Sequence, residues 1–253
     1  LWTGTIAGRP QAVAASEIPA ILAHPHISAM PDLQGVSAYL TTIRTVTRER
    51  TLFQGVRSLR PGERITIDLA SDSLRETSSD LWDALRTHTP GSAESFHADV
   101  ADSVSRHLRA DVPTCALLSG GLDSSVIAAV ARRHSESLNT YCSGAHAAGS
   151  DSDDFAAARL VAGHLGVNHT EAPITRELFT QRWPDMIARQ GLPLSTPNEV
   201  AINEVARVLR SQGHVVTLSG EGADELLGGY EIPMLQAWEH ASGAPHLPSA
   251  PAT

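Results

Sequence analysis

The stretch Leu117-Leu-Ser-Gly-Gly-Leu-Asp-Ser-Ser125 decides the fold of this chain. An apolar run from Val112 to Leu118 precedes its glycines and predicts a buried strand, and a helix is predicted from Leu122 to Arg133. Glycines let the backbone come close to an anion, and the free N–H groups of a helix start point toward it. The stretch therefore predicts a phosphate-binding loop, although an ordinary tight turn would explain Ser-Gly-Gly alone about as well.

The polar side chains of this first loop refine the prediction. Ser119, Ser124 and Ser125 add hydroxyl donors. Asp123 is unexpected beside phosphate because like charges repel, but it fits if it holds a Mg²⁺ ion that bridges it to the phosphate oxygens. The spacing differs from the Gly-x-x-x-x-Gly-Lys pattern, so a Walker-type ATPase is not indicated.

A second glycine-rich loop lies about a hundred residues later. The β-branched run His214-Val-Val-Thr-Leu218 predicts another short buried strand, and Ser219-Gly-Glu-Gly-Ala-Asp-Glu225 follows it. In an open parallel sheet, ligands bind beyond the carboxyl ends of strands, at the point where the winding reverses. If the two strands are neighbours, both loops face one crevice.

Three acids of the two loops are then candidates for chemistry. Asp123 and Asp224 would share one or two Mg²⁺ ions, and Glu221 would lie near the reacting phosphate as an acid or base. The alternative for Asp224 and Glu225 is an exposed helix start, where acids favour the helix dipole. Taken alone, those two residues fit this alternative better.

The two loops carry a family resemblance. Ser119-Gly-Gly-Leu-Asp-Ser124 resembles the pyrophosphate-binding loop of ATP pyrophosphatases of the adenine-nucleotide α-hydrolase type. Together with Ser219-Gly-Glu-Gly-Ala-Asp-Glu-Leu-Leu-Gly-Gly-Tyr230, it resembles the synthetase domain of class B asparagine synthetases, the glutamine-hydrolysing family. Thr51–Gly62 resembles the strand-rich end of that family's glutaminase domain, and Ala15–Ile18 resembles a slightly earlier segment. The resemblance covers most of residues 1 to 232.

This resemblance implies an ATP-dependent reaction that uses Mg²⁺. ATP adenylates a carboxylate, which in the type case is the side chain of aspartate, and pyrophosphate leaves. Ammonia made from glutamine then attacks the acyl-adenylate to form the amide. The implied partners are therefore small molecules: ATP, aspartate, and glutamine or ammonia.

The resemblance also implies roles for individual residues. Glu221 would act in the chemistry, with deprotonation of the nucleophile as one option, and Asp123 and Asp224 would bind Mg²⁺. Ser143 falls where the family contacts adenine, and because its side chain is small we expect a contact through its backbone. The whole set implied to bind the nucleotide is Leu117, Ser119, Gly120, Gly121, Asp123, Ser124, Ser143, Ser219 and Gly220.

Composition limits the classes of function. The net charge of −9 argues against a nucleic-acid surface. No apolar run approaches the roughly 20 residues that span a bilayer, and no signal peptide is apparent. Cys115 and Cys142 lie in predicted core strands and are expected to be buried thiols. The histidines show no zinc-ligand spacing and are expected on the surface and in loops. We expect a cytoplasmic enzyme that does not bind membranes, with a homodimer as one option.

The basic residues have an unusual composition, because all 19 are arginines. In the family, a catalytic lysine comes from a segment well beyond the second loop, and a cysteine at the mature amino terminus performs the glutaminase chemistry. Neither residue is present in this sequence. We therefore expect a fragment of a longer enzyme or a decayed copy of one.

Two classes of function follow. The first is an ATP-dependent ligase of asparagine-synthetase type; lasso-peptide and β-lactam synthetases share the first loop and the fold, and Glu221 favours the asparagine-synthetase branch. The second is a catalytically incomplete ATP-binding relic.

The predicted fold class is α/β, an open parallel sheet with helices on both faces, preceded by part of a β-rich glutaminase-type domain. The expected domains are 1–70 (glutaminase-type), 71–92 (linker), 93–240 (truncated ATP-binding domain) and 241–253 (disordered tail). Strands are predicted at 114–118, 138–143, 167–172 and 214–218, and helices at 94–109, 123–133, 153–165, 176–189 and 198–210.

Overall fold

The computed structural model describes residues 1–6, 9–41, 49–68, 75–80, 91–147, 150–151 and 153–230. Its strands are β1 (Trp2–Ile6), β2 (Arg9–Val13), β3 (Glu63–Asp68), β4 (Arg75–Asp80), β5 (Thr114–Leu117), β6 (Asn139–Ala147), β7 (Ser150–Asp151), β8 (Asn168–Ile174) and β9 (Val216–Leu218). Its helices are α1 (Ile18–Leu22), α2 (Leu33–Thr41), α3 (Ala93–His107), α4 (Leu122–His134), α5 (Asp153–Leu165), α6 (Arg176–Gln190), α7 (Asn198–Ser211) and α8 (Ala223–Leu227). The expected tail at 241–253 lies outside the described residues.

The chain divides into two compact units. The first unit comprises Leu1–Ala93 and Arg176–Val200, and the second comprises Glu94–Thr175 and Ala201–Thr253. Each unit is described by itself below. The assignment of residues 1–70 to a glutaminase-type domain stays a prediction.

The first unit contains two antiparallel strand pairs. β1 pairs with β2, and β3 pairs with β4. A small apolar core forms where Ile21, Ile27 and Val56 are buried and Trp2 and Phe53 pack against them. This cluster joins the start of the chain to the segment that follows Thr51.

Part of the expected linker is a strand. Residues 75–80, within the predicted 71–92 linker, form β4, whose register runs from Glu63 opposite Asp80 to Asp68 opposite Arg75. The sequence Arg-Glu-Thr-Ser-Ser-Asp of β4 contains no apolar residue. Because hydropathy alternation is the sequence signal for a half-buried strand, a strand whose sequence has no apolar residue cannot be found in that way.

The second unit is built on a parallel sheet. β8 pairs with β6, β6 with β5, and β5 with β9, all in parallel, so the strand order is β8–β6–β5–β9. The short strand β7 pairs antiparallel with the end of β6. Every strand and helix predicted between residues 94 and 218 forms, with ends that shift by four residues or fewer.

Helices cover both faces of this sheet because alternate strand residues point to opposite sides. On one side, Ala116 packs with Val104 of α3 and Val130 of α4. On the other side, Cys115 packs with Val205 and its neighbours on α7. The structure therefore confirms the predicted open parallel sheet with helices on both faces. Among the described residues, every helix is too short or too polar to span a bilayer.

The cysteine prediction is confirmed and the histidine prediction is partly wrong. Cys115 and Cys142 are both buried thiols, and burial raises the pKa of the Cys115 thiol. His214, which was expected on the surface or in a loop, is only 7% exposed. Its ring and the Tyr141 ring form a T-shaped contact with a centroid distance of 5.6 Å. The aromatic partner is distant in the chain, so spacing along the sequence could not indicate this contact.

A second histidine should make stability depend on pH. The Thr140 hydroxyl donates to the Asn168 carbonyl at 3.0 Å and therefore accepts a hydrogen bond from His169 Nδ1 at 3.0 Å. His169 Nε2 is buried and has no partner among the described residues. Burial lowers the pKa of His169 below the ordinary 6.5, so the folded chain binds its proton less readily than the unfolded chain.

We expect the free energy of unfolding to be highest above about pH 6.5 and to fall as the pH drops through that value toward the lower pKa of the folded state. Urea unfolding between pH 7.5 and pH 5 measures this slope. His169→Gln should flatten it, whereas His164→Gln, an exposed histidine of the same unit, serves as the matched control. Equal slopes in the parent and in His169→Gln would contradict the prediction.

Candidate active site

The two glycine-rich loops meet at the centre of the parallel sheet. The first follows β5, the second follows β9, and these strands are adjacent and parallel. A Cβ atom added to Gly220 would lie 2.9 Å from Asp123 Cβ and 3.1 Å from the Ser124 nitrogen. Only a glycine lets the second loop pack so closely against the start of α4, so the loops form one surface.

The meeting point is where the winding of the sheet reverses. From β5 the chain moves outward to β6 and then to β8, and it returns to place β9 on the opposite side of β5. The connections therefore diverge between β5 and β9, which opens a crevice beyond their carboxyl ends. Ligands of open α/β sheets bind in such a crevice.

Hydrogen bonds between its own residues hold the first loop in shape. Ser124 Oγ donates to the Gly121 carbonyl at 3.1 Å and accepts from the Ser119 N–H at 3.3 Å. The hydroxyls of Ser119 and Ser124 lie 3.1 Å apart, and the Gly121 N–H donates to Ser119 Oγ at 3.4 Å. The loop is thus preformed, with both hydroxyls next to the helix start.

Gly120 has a structural constraint of its own. Its φ of +83° is a left-handed conformation that glycine adopts without strain. An added Cβ would also lie 2.5 Å from Ala157 Cβ and 2.6 Å from the Ala157 carbonyl carbon. Gly120 therefore packs against α5, and it does not line the pocket between the loops.

Ser125 does not line the pocket either, but the pocket contains every other residue that the sequence analysis proposed for binding or chemistry. These are Leu117, Ser119, Gly121, Asp123, Ser124, Ser143, Ser219, Gly220, Glu221 and Asp224. The structure therefore brings together residues from β5, β6, α4 and the second loop. Their individual roles remain predictions.

Several lining residues were missed by the sequence analysis. Ile202 and Val205 of α7 line the pocket, as do Tyr141 and Glu225. The spacing of three residues between Ile202 and Val205 indicates a shared helix face, which for Val205 is core. Ile202 is 54% exposed and lies beside the pocket.

The pocket is acidic. Four carboxylates line it, from Asp123, Glu221, Asp224 and Glu225, and no arginine or histidine is among the described lining residues. Tyr230 also lines it, and its hydroxyl donates to Glu225 Oε1 at 2.9 Å. This hydrogen bond raises the pKa of Tyr230. A bare polyphosphate would meet net negative charge here.

The donor set fits a Mg²⁺ ion that arrives with a phosphate ligand. Within the described residues, no three His, Cys, Asp or Glu side chains are grouped to hold a metal ion by themselves. Mg²⁺ is commonly held by one or two carboxylates together with substrate phosphates and water. Asp123 and Asp224 supply that number, because they line the same pocket from the helices that follow the adjacent strands β5 and β9.

Solved structures offer a weak likeness. A glutamine-dependent NAD⁺ synthetase from Acinetobacter baumannii, in complex with adenosine diphosphate, matches with a TM-score of 0.41 and 16% identity. The match covers 63% of this chain and 32% of that one. A TM-score this low supports no argument about activity.

Comparisons of sequence are more specific. The family model described as asparagine synthase matches residues 95–252. Asparagine synthetase (glutamine-hydrolyzing) 3 of Bacillus subtilis is 30% identical over 254 residues, covering 92% of this chain and 40% of the relative. Asparagine synthetase (glutamine-hydrolyzing) 1 of the same organism is 32% identical, covering 79% of this chain and 31% of the relative. The chain thus spans less than half the length of these relatives, and its matched region includes both loops. It belongs to the asparagine synthase family.

Proposed function

We propose that this chain carries the ATP-activating site of a glutamine-hydrolysing asparagine synthetase. In this reaction, a carboxylate attacks the α-phosphate of ATP, pyrophosphate leaves, and ammonia displaces adenylate to form an amide. The observation that carries the proposal is the close approach of Gly220 to Asp123, which joins the two loops at the reversal point of the sheet.

The charge of the pocket supports Mg·ATP as its ligand. Four carboxylates and no described basic residue line it, so a bound polyphosphate needs a cation to offset the repulsion. Asp123 and Asp224 would hold this Mg²⁺. The preformed first loop would bind the pyrophosphate part through Gly121 and Ser124, while Gly120, which does not line the pocket, would hold the loop against α5.

The other lining residues would hold the nucleoside and assist the chemistry. Leu117 and Ser143 would contact adenosine, and Ser219 and Gly220 would contact the nucleotide from the second loop. Glu221 would act as the acid or base. In support of this role, Glu221 lies between two glycines of the second loop and lines the pocket.

The names of the relatives support aspartate as the acceptor and glutamine as the source of ammonia. Residues 1–70 would then belong to the glutaminase part of the enzyme, and the protein would act in the cytoplasm, with a homodimer as its possible assembly. The lasso-peptide, β-lactam and relic alternatives gain no support from these names.

Replacement of Asp123 by asparagine tests the proposal. Loss of the charged metal ligand should weaken the binding of Mg·ATP by about 1–3 kcal/mol, measured by calorimetry. Asp111→Asn is the matched control, because Asp111 is exposed and precedes β5 at the opposite end of that strand. Equal affinities of the parent and Asp123→Asn would reject the proposed site, as would a parent that binds no Mg·ATP.

A further inference from the structure

The three residues after α8 fold back onto the two acids of its first turn. Gly228 has a φ of +77°, and its N–H donates to the Asp224 carbonyl at 2.9 Å. The Gly229 N–H donates to the same carbonyl at 3.0 Å. The left-handed turn at Gly228 thus reverses the chain and carries it back past Asp224 and Glu225.

Gly229 lies directly against the Asp224 side chain. A Cβ added at Gly229 would overlap Asp224 Oδ1 and would lie 2.7 Å from Asp224 Cγ. The φ of Gly229 is outside the left-handed region, so the backbone itself would accept a side chain. A side chain at this position would therefore displace the Asp224 carboxylate.

Tyr230 forms a hydrogen bond with the neighbouring acid, Glu225. Its hydroxyl donates to Glu225 Oε1 at 2.9 Å, and both side chains line the acidic pocket. No donor among the described residues forms a side-chain hydrogen bond with the Asp224 carboxylate. The two adjacent carboxylates therefore differ in their contacts. Glu225 accepts a hydrogen bond from the Tyr230 phenol, whereas Asp224 lies against Gly229.

We propose that Gly229 and Tyr230 are positioning residues that give these adjacent acids different tasks. Gly229 leaves the Asp224 carboxylate in place to serve as a cation ligand, and Tyr230 holds the Glu225 carboxylate away from the cation. The Tyr230 O–H bond occupies one lone pair of Glu225 Oε1 and fixes that oxygen at the phenol, which leaves it less able to turn toward a metal ion. The inference rests on the proposed Mg·ATP site and names the residues that prepare it.

Calorimetric titration of ATP at a series of Mg²⁺ concentrations tests this inference, because it yields the Mg²⁺ concentration for half-maximal binding. Gly229→Ala should raise that concentration by about 10- to 100-fold, the usual effect of losing a group that orients a metal ligand. Gly163→Ala is the matched control, since nothing lies within 4 Å of a Cβ added at that helical glycine.

Tyr230→Phe should act in the opposite direction and only through Glu225. Freeing the Glu225 carboxylate adds a ligand, so the half-saturating Mg²⁺ concentration should fall by roughly threefold or more. In a Glu225→Gln background, Tyr230→Phe should have no further effect. Tyr39→Phe is the matched control, because its hydroxyl donates to the Leu194 carbonyl at 3.2 Å in the first unit.

The outcomes distinguish failure of the proposed Mg·ATP site from failure of the positioning roles of Gly229 and Tyr230. If the parent binds no Mg·ATP, the proposed function fails, and this inference fails with it. If the parent binds but Gly229→Ala matches Gly163→Ala, the positioning role of Gly229 is overturned while the proposed function stands. An equal effect of Tyr230→Phe with and without Glu225 overturns the role of Tyr230. Thermal unfolding of every variant separates these effects from loss of the fold.

Discussion

Chelation of Mg²⁺ is expected to reduce the affinity of this chain for ATP by at least about 100-fold. The physical reason is the charge of the pocket, which four carboxylates and no described basic residue line. One pair of like unit charges about 5 Å apart near a protein surface repels by roughly 3 kcal/mol, and a bare triphosphate would face several such pairs. Titration of ATP with Mg²⁺, with EDTA, and after restoration of Mg²⁺ measures the effect.

Adenosine provides the control for this prediction, because it lacks phosphate and should bind equally with Mg²⁺ and with EDTA. If ATP also binds equally under both conditions, ATP binding does not require a cation held by the acids of the pocket. The proposed roles of Asp123 and Asp224 would then be wrong. A parallel loss of adenosine binding would instead indicate that EDTA acts on the fold.

The substitution Gly120→Ala is expected to destabilise the chain by about 3 kcal/mol, the sum of a left-handed backbone penalty and an overpacking penalty. The φ of +83° supplies the first cost. The second arises because the new Cβ would lie 2.6 Å from the Ala157 carbonyl carbon and 2.7 Å from the Ala158 nitrogen. These are backbone atoms of α5, so a side-chain rotation cannot relieve the contact.

Gly166→Ala separates the two costs. Gly166 also has a positive φ, of +61°, but nothing lies within 4 Å of a Cβ added there. We therefore expect Gly166→Ala to cost only about 1 kcal/mol, from the backbone conformation alone. Urea unfolding of both variants provides the comparison. Equal losses would show that the close approach to α5 contributes nothing to stability.

Much of the candidate site could be predicted because its residues lie in two short, continuous motifs. A strand, glycines and an acid recur in each loop, and this order is visible without knowledge of the fold. Ile202 and Glu225 could not be assigned in the same way. The sequence around Ile202 predicts a helix but does not indicate that this residue borders a pocket. Glu225 fits an exposed helix start equally well.

The sequence by itself determined the helices and parallel strands of the second unit, because hydrophobic period and glycine placement are local properties of the chain. The predicted helix 153–165 has the same bounds as α5. Tertiary structure alone decided which elements became neighbours: the order β8–β6–β5–β9, the pairing of the polar strand β4, the burial of His214 and the packing of Gly120 against α5. Each of these depends on contact between segments far apart in the chain, and no local pattern encodes which distant surface a strand, a ring or a glycine will meet.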